Sequence, residues 1–188
     1  MRVVITTILL AITFQATSQR FIYDSYDSLY RAYNVGDWPT VTRILHTKLN
    51  SPKPADSARR SLEYFYIKAI AGLLRDKKIS DDSALKSVAF LKGKEIVMNG
   101  FYYRTACNAH CTYIMEKEPN TFFAVESNQK GSKEFCHLYV QMKDPVEEYA
   151  PDKLEGKFIA FRGKLVEITV EDKQPPRFKL VFKDARYC

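Results

Sequence analysis

The sequence predicts an α+β protein, an N-terminal helical hairpin segment followed by a small antiparallel β-barrel. Three observations carry this. Apolar residues recur at three- and four-residue spacings up to about residue 88, and at every second residue from Lys94 onward. Short polar turns punctuate the second half, at Glu118-Pro-Asn120, Asn128-Gln-Lys-Gly131, Asp144-Pro145, Ala150-Pro-Asp152 and Gln174-Pro-Pro176. Finally, the phrase Leu91-Lys-Gly-Lys-Glu-Ile-Val-Met-Asn-Gly100 returns 63 residues later as Leu154-Glu-Gly-Lys-Phe-Ile-Ala-Phe-Arg-Gly163. Each copy reads as a turn (Gly93, Gly156), an alternating strand, and a glycine suited to a bulge or tight bend.

Residues 1–18 read as an export signal. Arg2 supplies the positive end, Val3 to Phe14 is apolar apart from threonines, and Ala16-Thr17-Ser18 has the small-x-small form of a cleavage site near Ser18. The apolar run is too short to span a bilayer, and no later segment approaches the roughly 20 apolar residues that a membrane helix needs. The expectation is a secreted or periplasmic chain with no transmembrane segment after cleavage. It divides into a helical segment over 19–88 and a barrel-like domain over 89–188.

Residues 24–50 predict a helix pair or one long helix with a break. Asp24, Ser25 or Asp27 offers a cap, and Leu29, Tyr30 and Tyr33, then Trp38, Val41, Ile44, Leu45 and Leu49, hold helical spacing. Gly36-Asp37 reads as the turn between them, with Pro39 in the first turn of the second helix, where its missing N–H costs nothing. After the break at Asn50-Ser-Pro-Lys-Pro54, residues 55–76 carry a wide stripe of Leu62, Phe65, Tyr66, Ala69, Ile70, Leu73 and Leu74. A short helix through Ala84, Leu85 and Val88 follows, capped by Ser80 or Asp81. Strands are predicted over 94–105, 111–117, 120–126, 134–142, 157–170 and 177–184. In 157–170, Phe158, Ala160, Arg162 and Lys164 are expected on one face, and a bulge at Gly163 shifts the register.

Cys107, Cys111, Cys136 and Cys188 make an even count in an exported chain, which predicts disulfides with the pairing left open. The alternative, a zinc site from Cys107, His110, Cys111 and Cys136 or His137, lacks the paired short spacers of structural zinc sites. No metal or cofactor is predicted. Catalytic signatures are also missing: there is no Gly-x-Ser-x-Gly elbow, Gly-rich phosphate loop or His-Glu-x-x-His helix. His46, His110 and His137 read as packing or surface residues, so no catalytic residue is assigned and the chain reads as a non-enzymatic binding module. Aromatics are plentiful in the second half, and those left outside the core, beside an arginine, suit stacking on a ligand. Tyr102, Tyr103, Arg104, Arg162 and Arg177 are the candidate ligand-binding residues. The partner expected is a protein or an anionic or sugar ligand. The net charge of +7 is spread along the chain without a dense basic tract, which argues against nucleic acid.

Two family resemblances add expectations. Lys157-Phe-Ile-Ala-Phe-Arg-Gly-Lys-Leu-Val-Glu-Ile-Thr169, echoed by Lys94 to Tyr103, resembles strand one of the oligonucleotide/oligosaccharide-binding (OB) fold. Residues 90–187 are similar in layout to exported bacterial OB-like domains. That resemblance implies a barrel and a binding role but no chemistry. Tyr26-Asp-Ser-Leu-Tyr30 with Ala32-Tyr-Asn-Val-Gly-Asp-Trp38, and Cys107-Asn-Ala-His-Cys111, resemble the tetratricopeptide-type repeats and Cys-x-x-x-Cys element of the leprecan family. This second likeness implies an accessory factor in secretory-pathway protein modification. A hydrolase with unpatterned residues is a third reading.

Overall fold

A computed structural model of the chain describes residues 26–51, 56–98, 100–104, 111–127, 134–143 and 151–187. The signal-like residues 1–18, together with Cys107, His110 and Cys188, lie outside them.

The helices form as their punctuation dictates. Helix α1 runs to residue 35 over 26–35 and closes on Gly36 at φ +75, with Gly36 N–H donating to Tyr33 O (3.1 Å) and Asp37 N–H to Ala32 O (2.9 Å). This two-bond glycine cap satisfies the last carbonyls of α1. The next residue then starts α2 (Trp38–Leu49), since the Asp37 carboxylate accepts from Thr40 N–H at 3.3 Å. Helix α3 (Asp56–Arg75) ends in the same geometry, but with Lys77 rather than glycine at φ +55. Ser80 caps α4 (Asp81–Val88), and a single 3-10 turn, Ala89–Leu91, leads into the sheet.

Trp38 joins the layers. Its ring is 4 % exposed, edge-on to Tyr33 at 5.5 Å and to Phe135 of the sheet at 4.9 Å, and it lies flat on the backbone of Gly72 in α3. One buried cluster takes in Val41, Leu45, Ile67 and Ile70 from the helices and Leu138, Leu165, Phe178 and Leu180 from the strands.

The strands are β1 (Glu95–Val97), β2 (Phe101–Tyr103), β3 (Cys111–Glu118), β4 (Thr121–Ser127), β5 (Glu134–Met142), β6 (Phe158–Ile159), β7 (Phe161–Glu171) and β8 (Arg177–Tyr187), with the short helix α5 (Pro151–Leu154) before β6. They make one sheet in the order β1-β7-β8-β5-β4-β3-β2-β6. Only Ala160 separates β6 from β7, so the sheet curls into a half-barrel and its β6 end returns toward β7. The α+β expectation holds, but the sheet is mixed rather than antiparallel, because β2–β3 and β5–β8 pair in parallel. Turn residues specify hairpins such as β3–β4 and β7–β8. Nothing local marks a pairing made across a longer connection.

Two strands differ from expectation. The run 94–105 divides into β1 and β2, because Met98 turns inward to donate its N–H to Phe161 O (2.8 Å) and the Phe158 ring covers Gly100. Ala160 is buried, not outward with Phe158, since the chain breaks pleat there between β6 and β7. The repeated phrase is a matched structural unit. Leu91 and Leu154 are fully buried at helix ends, Gly93 (φ +87) and Gly156 (φ +76) turn the chain, and Ile96 and Ile159 enter the core. The two copies also meet, with Ile96 opposite Gly163.

Candidate functional site

Alternation along the strands sends Phe122, Ala124, Leu138, Val140, Phe178 and Leu180 into the core, which leaves Phe123, His137, Tyr139 and Lys179 on the outward face. The register sets Phe123 opposite Tyr139, and His137 opposite Lys179. Phe123 meets two rings edge-on, His137 at 5.0 Å and Tyr139 at 5.3 Å. Two ammonium groups stand over this aromatic row. Lys117 Nζ is 5.6 Å from the Phe123 centroid, and Lys179 Nζ is 5.1 Å from that of Tyr139 and 3.7 Å from Glu167. Both lie within reach of the ring quadrupole.

His137 closes the row at the helix side, with its side chain 7 % exposed. Glu171, at the end of β7, brings Oε2 to 2.6 Å from His137 Nδ1, and Arg177, at the start of β8, places Nη1 2.9 Å from Nε2. A guanidinium can only donate. In the neutral ring Nε2 is therefore the acceptor, and the proton sits on Nδ1, close to the carboxylate but out of line for a hydrogen bond. A carboxylate–imidazole pair is half of a nucleophile-activating arrangement. Here the nitrogen that would take a nucleophile's proton is engaged by Arg177, so the geometry orients charge rather than moving protons.

A cavity of about 480 Å³ adjoins this cluster where the α3–α4 turn faces the β7–β8 loop. Leu74, Ile79 and Pro176 give it apolar surface, and Lys77, Lys78 and Lys173 line it together with Asp81, Glu171 and Asp172. Glu171 belongs to both features, and Lys173 Nζ sits 3.6 Å from its Oε2.

The structure disperses the residues singled out from the sequence. Tyr102 is 56 % exposed and meets the equally exposed Phe158 edge-on at 5.7 Å, near Arg104, which pairs with Glu155 at 3.3 Å. Tyr103, its neighbour, is 1 % exposed and belongs to the core. Arg162 lies on β7 beside β1, paired with Glu95 at 3.3 Å. Arg177 alone joins the cluster just described. Lys117, Lys179 and Glu171 carried no distinguishing mark in the sequence. The alternation of 134–142 did already put His137 and Tyr139 on one face. Among the described residues no group of three or more His, Cys, Asp or Glu is placed to hold a metal ion, and no helix is long and apolar enough to cross a membrane.

No family model, curated protein or solved structure matches the chain. Function therefore rests on this geometry alone.

Proposed function

We propose that the protein is an exported, non-enzymatic binding module whose outward β4–β5–β8 face takes a sugar-like ligand bearing an acidic group. The carrying observation is the row Phe123–Tyr139 with Lys117 and Lys179 stationed over its rings. Such a surface offers flat apolar area for a sugar ring and adjacent cations for a carboxylate or phosphate. The site's one imidazole is occupied on both sides, which favours binding over hydrolysis.

The OB-like reading of 90–187 accords with this. The β3–β4–β5 meander, the short α5 and the β7–β8 hairpin, joined through parallel β5–β8, support a Greek-key barrel of that kind. OB folds bind along strands two and three, the places β4 and β5 take if β3 is strand one. Lys157 to Thr169 then fills the fourth strand rather than the first.

Export would also oxidise the cysteines. Cys111 is level with Ser127, itself level with Glu134, so Cys111 and Cys136 are two strands apart, about 10 Å. That exceeds disulfide reach, so these two cysteines are not each other's partners.

The test is a titration of the full chain with acidic and neutral oligosaccharides, alongside Tyr139→Ala and Lys179→Ala. Selective binding of acidic sugars, weakened about tenfold by either change at unaltered thermal stability, is expected. Equal binding by both variants would overturn the proposal.

A further inference from the structure

We propose that the far end of the β7–β8 hairpin, which shares no residue with the aromatic row, is a second surface, one that docks an anionic polysaccharide. The observation is an arrangement of charge that folding does not call for. Arg162 of β7 lies directly opposite Arg186 of β8, and Lys164 directly opposite Lys183. Like charges facing each other across an antiparallel pair oppose the pairing. Lys143 extends the first row, because Met142 is level with Ala185 in the parallel β5–β8 pair, which sets Lys143 abreast of Arg186. All five cations are exposed.

The two ends of β8 treat their cations differently. Near the β7–β8 loop, Lys179 has Glu167 and Arg177 has His137, itself against Glu171. At the far end only Arg162 has an acid partner, Glu95, which it shares with Arg60. Among the described residues, Lys143, Lys164, Lys183 and Arg186 have no ion-pair partner. Asp184 is the acid between them on β8, held exposed at φ +50 and paired to neither neighbour. The five charges thus stand within two rows about 7 Å apart, on strands about 5 Å apart.

The chemistry of this patch selects among polyanions. Among the described residues no exposed aromatic ring is interleaved with these cations, so the stacking of bases on which single-stranded nucleic acid binding relies has no platform among them. Nor, among the described residues, does an exposed large apolar side chain stand among them to enter a lipid surface. Closely spaced point charges on a flat strand surface suit repeating sulfate, carboxylate or phosphate groups on a hydrophilic chain. The inference is independent of the aromatic row, since no residue is shared.

The experiment measures binding of the full chain to heparin oligosaccharides, a single-stranded oligothymidine and vesicles containing anionic phospholipid, over a range of salt. The variant is Lys183→Glu/Arg186→Glu, with Lys77→Glu/Lys78→Glu as a control of identical charge change. Expected are heparin binding whose logarithm falls linearly with that of salt concentration, and a loss of about tenfold or more in the strip variant alone. The new carboxylates face Lys164 and Arg162, so the variant should melt no lower than the parent chain. A loss of binding therefore does not come from unfolding. Equal losses in both variants would reduce the effect to net charge and overturn the proposal. Oligothymidine or vesicles binding as tightly as heparin through the same residues would overturn it too.

Discussion

Replacing Gly72 with alanine sets two effects of opposite sign against each other, and the structure decides between them. Gly72 lies inside α3, where alanine is favoured by about 1 kcal/mol on helix propensity. A Cβ there, however, would sit 2.3, 2.5 and 2.6 Å from three atoms of the Trp38 ring. Carbon contacts settle at about 3.5–4.0 Å, so the indole must retreat by about 1 Å. It has nowhere to go, being 4 % exposed and braced by Tyr33 and Phe135. Overpacking of this kind costs about 1–3 kcal/mol, and three overlaps on a braced ring belong at the upper end. The net expectation is destabilisation by about 2 kcal/mol, or about 4–8 °C in a domain of this size. Urea denaturation gives the number as a lowered midpoint at unchanged m, and emission from Trp38, the only tryptophan, reports the ring's displacement. In a Trp38→Ala background the obstacle is gone, so the same glycine change should turn stabilising. A Gly72→Ala chain as stable as the parent, or a cost that survives in the Trp38→Ala background, would refute the packing argument.

Lys77 closes α3 in the left-handed region at φ +55. Lys77→Gly removes a strain of about 1–2 kcal/mol and returns part of it as unfolded-chain entropy, so the urea midpoint should rise by the equivalent of about 0.5–1 kcal/mol. Burial pushes the Tyr66 phenol above its ordinary 10.0. The folded chain then holds this proton where the unfolded chain has released it, and stability falls as pH rises from about 10 through the raised value. Tyr66→Phe should flatten that alkaline decline in midpoints measured across the range. Glu63 is 4 % exposed in its side chain and lies 3.2 Å from Lys94 and 3.5 Å from Arg59, both far better hydrated. Lys94→Ala, which strips a partner from a buried carboxylate, should therefore cost more than Glu63→Gln, which leaves two cations free to turn to water. The reverse order in thermal melts would sink that reasoning.

What the sequence disclosed follows the range of the forces involved. The helix limits were legible because caps act over four residues: Gly36, Asp37 and Ser80 each stand where the structure uses them. The hairpins were legible because a turn and its flanking alternation are neighbours in the chain. Strand β5, over Glu134–Met142, matches the predicted 134–142. The parallel β5–β8 and β2–β3 pairings were not legible, since a strand's composition records how deeply it is buried and not which strand lies beside it. The site shares this fate. His137 and Arg177 are 40 residues apart in sequence, and Glu171 reaches His137 only because β8 lies beside β5 and β7 beside β8. The far-end cations were hidden for the same reason: spread along the sequence they form no tract, and only the register gathers them.

The repeated phrase that organises the sequence serves the fold at its recurring positions, and only its non-recurring Arg162 joins the cationic rows. Its leucines and isoleucines are buried, and Gly93 and Gly156 hold the turns. Met98 N–H donates to Phe161 O at 2.8 Å and Ile96 lies opposite Gly163, so the copies brace each other through backbone. Such residues answer to packing and chain direction, and a ligand could reach few of them. Selection for binding has room instead at outward strand positions, where packing is indifferent to side-chain identity and a pleat displays every second residue. There the chain places rings under ammonium groups at one end of β8 and like charges face to face at the other. The first arrangement contributes little to stability and the second opposes it. Residues that weaken or ignore the fold while sharing one rigid surface are best explained by what that surface holds.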